Sequence, residues 1–190
     1  IYFDNSVFDF YCSIFNGASL APIKDEIVRD PKRLFNHLNE VNCTQWFSVP
    51  SLLIYLNTLK FFNDESIPKI HKIIFGGEGF PKKKLFDIFE RYKSRISFYN
   101  VYGPTECTCI CSAYLLQKSD FECLDGLPTL GLIGSHFTYE LLDQEVDEEG
   151  NIEGELCLKG SCVGQGYFND QKRTFDSFKP DSENGNNKLK

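Results

Sequence analysis

Lys69-Ile70-His71-Lys72-Ile73-Ile74-Phe75-Gly76-Gly77 reads as a buried strand that runs out into glycines. Residues 81–92 follow, with Leu85, Phe86, Ile88 and Phe89 at helical spacing, and residues 96–101 form the next apolar strand. Strand, helix and strand in that order set the fold class: α/β, a layered and mostly parallel sheet with flanking helices.

The same alternation extends towards the N-terminus. Residues 44–49 read as a strand, and Pro50 opens a helix to about residue 59. Residues 31–41 form an amphipathic helix with Pro31 in its first turn and Leu34, Phe35, Leu38 and Val41 inward. Residues 18–23 read as a short strand. Residues 6–15 have helical spacing, with Ser6 as N-cap and Gly17 as the stop. Beyond about residue 115 the pattern changes. Strands at 137–142 and 155–159 flank an acidic turn at 143–150, a short helix covers 171–178, and 181–187 is a polar loop. The expected organisation is an α/β subdomain over 1–115 and an incomplete β-rich subdomain over 116–190.

A hydrophobic content of 42% against 25% charged residues is enough for a packed core and excludes global disorder. No apolar run approaches the ~18 residues of a membrane span, so membrane insertion is not expected. The net charge of −7, with no basic block beyond Lys82-Lys83-Lys84, argues against nucleic acid as a partner. That triplet opens a helix and reads as a solvated face. The eight cysteines include no C-x-x-C. Cys107, Cys109 and Cys111 alternate as on one face of a strand, and small buried side chains are the favoured reading. Zinc prefers other spacings and histidine ligands. The chain begins at Ile1 and contains no Met, so it reads as an internal piece of a longer protein.

In parallel sheets, ligands gather beyond the carboxyl ends of the strands. Three segments lie there: Phe47-Ser48-Val49, Phe75-Gly76-Gly77-Glu78, and Asn100-Val101-Tyr102-Gly103-Pro104-Thr105-Glu106. Gly76-Gly77-Glu78-Gly79 matches no full phosphate-loop pattern and by itself is a turn, although glycines let a ligand approach the backbone. The third segment is at minimum a Gly-Pro turn. Its other residues suit a nucleotide. The Asn100 amide can bond a base edge, the Tyr102 ring can stack on adenine, the Thr105 hydroxyl can donate to phosphate, and Glu106 can hold Mg²⁺.

This third segment resembles the N-x-Y-G-P-T-E signature of the adenylate-forming (AMP-binding) superfamily. Phe3-Asp4-Asn5-Ser6-Val7-Phe8-Asp9 is similar to the F-D-x-S-V-x-D stretch of amino-acid adenylation domains. Gly154-Glu155-Leu156-Cys157-Leu158-Lys159-Gly160, with Val163 and Gly166-Tyr167-Phe168-Asn169, resembles their G-E-L-x-[IV]-x-G…V…G-Y-x-N stretch. Three motifs in family order span nearly the whole chain. The resemblance implies part of the large domain of an enzyme that activates an amino acid with ATP and releases pyrophosphate. It would then pass the aminoacyl group to a carrier-protein phosphopantetheine thiol in the cytoplasm.

The resemblance also implies residue roles. Thr105 and Glu106 would be catalytic, with Glu106 on the metal. Gly76, Gly77, Glu78, Asn100, Tyr102, Gly103 and Thr105 would bind ATP. Asp4 would pair with the substrate ammonium, although a carboxylate near a helix start is favourable anyway. The pocket walls would be Asn5, Phe8, Ser48, Ile74, Gly76, Val101, Cys109 and Ile110, all within the 1–115 subdomain expected to hold the substrate and adenine pocket. Within the amino-acid branch, which also holds nonribosomal peptide synthetase adenylation domains, Asp9-Phe10-Tyr11, residues 30–35 and Trp46-Phe47-Ser48-Val49-Pro50-Ser51 look closer to D-alanine:carrier-protein ligases. Those ligases usually carry Cys where this chain has Gly76, so more room is expected beside the substrate. The family's phosphate loop, its Y-x-T-G-D stretch and its C-terminal lysine domain are absent, so the piece alone is not expected to turn over. An acyl-CoA ligase, or a non-catalytic remnant of such a domain, are the alternatives.

Overall fold

The computed structural model describes residues 3, 5–180 and 187–190. Asp4 and residues 181–186, where a loop is expected, lie outside the described residues. The chain divides into two compact units, each made of separated segments: residues 1–102 with 113–131, and residues 103–112 with 132–190.

In the first unit the order is α1 (Asn5–Phe15), α2 (Asp25–Val28), α3 (Pro31–Glu40), β1 (Gln45–Ser48), α4 (Pro50–Thr58), β2 (Lys72–Gly76), α5 (Lys82–Tyr92), β3 (Ser97–Tyr102) and β4 (Ser112–Leu115). These strands lie side by side in the order β1-β2-β3-β4. The pairs β1–β2 and β2–β3 are parallel, with Trp46 opposite Ile73 and Ile73 opposite Phe98. The α/β alternation read from the sequence is therefore present, shifted by one to three residues at most ends.

Strand alternation gives the sheet two faces. Trp46, Ile73, Phe75 and Phe98 join the main core with Leu34, Leu38, Leu53, Leu56, Leu85, Ile88 and Phe89 from α3, α4 and α5. Trp46 stacks on Phe62 at 5.7 Å, and Phe89 packs on Phe121 at 4.5 Å. Complete burial of each such side chain contributes about 1.5–3 kcal/mol, and this is what holds the helices to the sheet. Local signals set the helix ends. The Asp30 carboxylate accepts from the N–H groups of Lys32 and Arg33 ahead of α3, and Pro31 occupies the position whose N–H would be unsatisfied.

Three local expectations are corrected. Residues 18–24 are irregular, not a strand, because Pro22 removes a ladder donor. Ser6 does not cap α1. The helix already starts at Asn5, and the Ser6 hydroxyl donates to the Phe3 carbonyl at 2.7 Å. The cysteine run is not extended either. A 3₁₀ turn covers Thr105–Cys107, and Thr108 and Cys109 follow with φ of 60° and 79°. All three cysteines are buried nonetheless. Gly17 does end α1, with φ of 62°.

The second unit continues with β5 (Leu132–Ile133), β6 (Thr138–Val146), β7 (Ile152–Lys159), α6 (Gln171–Ser177), β8 (Phe178–Pro180) and β9 (Asn187–Leu189). The last four strands form an antiparallel sheet in the order β6-β7-β9-β8. The β6 and β7 strands run further than expected, which shortens the acidic turn to its tip. There the Asp147 carboxylate accepts from the Glu149 and Asn151 N–H groups and from the Asn151 amide.

Candidate functional site

Within the first unit, three strand ends meet at one edge of the parallel ladder. Ser48 lies opposite Phe75, Phe75 opposite Asn100, and Gly76 opposite Val101. Phe47, Ile74, Gly76 and Val101 share the face away from the main core, and α1 is on that face through Phe8, whose ring packs edge-on against Phe47 at 5.0 Å. Asn5, at the start of α1, is close enough to Gly77 that its Nδ2 would lie 4.0 Å from a Cβ there. Asn5, Phe8, Ile74, Gly76 and Val101 are thereby brought together. Ser48 falls by alternation on the opposite face, and its hydroxyl donates to the Val49 carbonyl at 3.2 Å.

Gly76 does not leave the room expected of it. A Cβ there would stand 2.4 Å from the Val101 carbonyl oxygen and 2.6 Å from Val101 Cγ2. The strand backbones approach so closely that Val101 fills the space a side chain would take.

Two residues expected at the nucleotide have intramolecular partners. The Glu78 carboxylate accepts from the Ser51 N–H and hydroxyl, both at 3.2 Å, at the first turn of α4. A carboxylate there meets the positive end of the helix dipole. Asn100 is buried, and its amide nitrogen donates to the Thr129 carbonyl at 2.9 Å, which ties residues 126–131 to the end of β3. Tyr102 ends β3 half-buried.

The remaining signature residues belong to the second unit. A Cβ on Gly103 would lie 1.7 Å from the Cys109 carbonyl oxygen, so only glycine fits. The 3₁₀ turn presents Thr105 exposed and Glu106 half-buried. Gly164 N–H donates to the Glu106 carbonyl at 2.7 Å, and the Tyr167 hydroxyl donates to Glu106 Oε1 at 2.5 Å. Thr108, a β-branched residue at positive φ, donates from its hydroxyl to the Cys162 carbonyl at 2.9 Å. Such backbone conformations gather at working sites, where surrounding bonds hold them. Cys109 and Ile110 follow, buried and half-buried.

The sequence could not show these ties to Gly164, Tyr167 and Cys162. Gly166-Tyr167 was visible as a motif, but its partner is 61 residues away.

The thiols around this turn are chemically quiet. Burial, followed by the neighbouring Cys111 and Glu106, pushes the Cys107 thiol up to about 12, and burial lifts Cys111 to about 11. Neither is a thiolate at neutral pH. Among the described residues no group of three or more His, Cys, Asp or Glu could hold a metal ion. Glu106 offers a hard-oxygen carboxylate, and Thr105, its neighbour in sequence, is exposed. That carboxylate suits Mg²⁺, which usually takes one or two carboxylates and completes its shell with phosphate oxygens and water. No helix among the described residues is long and apolar enough to cross a membrane.

The chain is similar to known proteins along nearly its whole length. The chain is 32% identical over 179 residues to a protein of Listeria monocytogenes serovar 1/2a named D-alanine–D-alanyl carrier protein ligase. The match covers 93% of this chain and 34% of that protein. It is 29% identical over 181 residues to the protein of the same name from Lacticaseibacillus casei, covering 93% and 35%. The chain thus spans about a third of the length of the curated relatives it matches. Two solved structures share the fold. The crystal structure of CmiS6 superimposes with a TM-score of 0.79 at 24% identity, covering 99% of this chain and 46% of that one. PA1221, a nonribosomal peptide synthetase protein containing adenylation and carrier domains, gives 0.72 at 24% identity, covering 98% and 37%. The family model described as AMP-binding enzyme matches residues 1–168, and the chain belongs to that family.

Proposed function

We propose that this chain is the central part of the large domain of an AMP-forming ligase that activates an amino acid for transfer to a carrier-protein thiol. The observation that carries the reading is the turn after β3. It carries Thr105, exposed, and Glu106, half-buried and fastened at both its carbonyl and its side chain. The substrate carboxylate oxygen attacks the α-phosphorus of ATP, the bond from that phosphorus to the bridging oxygen breaks, and pyrophosphate leaves with the electron pair. Thr105 donates to a phosphate oxygen and orients it. Glu106 would hold Mg²⁺, which when bound offsets the charge on the departing pyrophosphate. No protein nucleophile takes part, so the chain's contribution is positioning.

Asn5, Phe8, Ile74, Gly76 and Val101 are proposed as substrate walls, within the 1–115 segment expected to hold the pocket. Ser48, Cys109 and Ile110 are assigned to the same substrate, and Asp4 to its ammonium group. Gly77, Glu78, Asn100, Tyr102 and Gly103 are assigned to the nucleotide, with Glu78 and Gly103 acting through the backbone they shape. The dependence on ATP argues for the cytoplasm. The names of the relatives support D-alanine as the first substrate to try and a carrier protein as the acceptor.

The test is substrate-dependent ATP–pyrophosphate exchange by the full-length protein across D- and L-amino acids and short fatty acids. Exchange with one amino acid is expected. Exchange with fatty acids alone would favour an acyl-CoA ligase, and none from a folded full-length protein a non-catalytic remnant. Glu106→Gln should lower exchange by about a hundredfold, the cost of removing one electrostatic partner of the transition state.

A further inference from the structure

A carboxylate that holds Mg²⁺ must offer one oxygen in a fixed direction. Mg²⁺ demands near-octahedral geometry and tolerates a swinging ligand poorly. A Glu side chain has three rotatable bonds, so something else has to fix it. In this chain the backbone of Glu106 is held by Gly164 and its Oε1 by the Tyr167 hydroxyl.

Tyr167 is itself well anchored. Its N–H donates to the Thr174 hydroxyl oxygen at 2.8 Å. Its ring packs edge-on against Phe178 at 5.4 Å, and the Arg173 guanidinium lies 5.1 Å from the ring centre. Arg173 is in turn paired with Asp170 at 2.7 Å. The phenol therefore keeps one direction.

We infer that Tyr167 is a positioning residue for the metal carboxylate: its hydroxyl holds Oε1 of Glu106 so that Oε2 faces the divalent cation. The inference rests on the assignment of Glu106 to the metal. It adds a residue that touches neither ATP nor substrate and acts through Glu106 alone. A hydrogen bond of this kind orients a ligand and sets its basicity.

The test measures metal-coupled nucleotide binding in the full-length protein, without amino acid, so that no turnover occurs. Calorimetry gives the Kd for ATP with excess Mg²⁺ and again with EDTA. The ratio of the two reads how far the metal strengthens ATP binding. Tyr167→Phe, which keeps the ring and its packing, should cut that ratio by about tenfold and leave the Kd in EDTA unchanged. Phe178→Leu loosens the ring packing but keeps both bonding atoms, so it should lower the melting temperature with little effect on the ratio. A wild-type ratio in Tyr167→Phe overturns the inference, as does an equal loss in both variants. Glu106→Gln is the control for the underlying assignment. If it too keeps the wild-type ratio, Glu106 is not the metal carboxylate and the inference falls with it.

Discussion

The carbonyl oxygen of Cys109 occupies the place where a side chain on residue 103 would begin, 1.7 Å from a Cβ built on Gly103. The turn that carries Thr105 and Glu106 can close only because residue 103 has no side chain. Gly103→Ala should therefore force the loop open. The expected cost is about 3 kcal/mol or more, the upper range for overpacking a filled site. Urea unfolding of the purified variant measures it, and wild-type stability would show that the loop yields cheaply.

Asn100 ties the end of β3 to Thr129. Asn100→Ala leaves the Thr129 carbonyl without this donor in a place where the asparagine itself is 6% exposed. Thr129 is exposed, so water can take the donor's place, and the expected cost is about 0.5–1.5 kcal/mol, that of an ordinary hydrogen bond. Faster amide exchange confined to residues 126–131 is expected alongside the lower urea midpoint. A uniform rise across the first unit would indicate a general loss of packing.

Glu140 on β6 accepts from Lys159 on β7 and Lys188 on β9, and these partners, Lys159 first, pull its carboxyl down to about 2. A depressed acid stabilises the folded state fully above its unfolded value near 4.5, and that contribution is lost as pH falls through about 2. Glu140→Gln should lower the urea midpoint at pH 7. It should also remove part of the acid-induced destabilisation between pH 4.5 and 2, read from midpoints measured across that range. A parallel offset at every pH would count against the ion pairs.

Asp9 on α1 has the opposite sign. Burial raises its carboxyl above the ordinary 3.8. The folded state then holds its proton longer than the unfolded chain does. Stability falls as pH rises from 3.8 through the raised value, and the penalty is complete above it. Asp9→Asn should melt higher than wild type at pH 7 and close to it at pH 3. A variant that melts lower at pH 7 would mean that the carboxylate has a favourable role there.

The first unit was legible because its code is local. Pro31 and Pro50 mark helix starts, and Ile73-Ile74-Phe75 has no polar break, as a strand buried on both faces requires. Errors arose where a local signal met a backbone constraint. Cys107, Cys109 and Cys111 have the spacing of a strand, but two left-handed residues break it. The candidate site was legible as residue types and less so as partners. Glu78 reads like a nucleotide ligand, yet Ser51, 27 residues away, takes its carboxylate. Gly76 reads as empty space until the register places Val101 opposite it.

The interleaving of the two units has a consequence for biosynthesis. Glu106 leaves the ribosome 61 residues before Tyr167. At ordinary translation rates that is a delay on the order of 3–12 s. By then every segment of the first unit has been made, while the turn at 103–112 still waits for residues 132–190. A nascent chain that stalls before Tyr167 would thus carry an assembled sheet and an unsupported carboxylate. Its far-UV spectrum would report a folded protein well before the bond between Tyr167 and Glu106 could form.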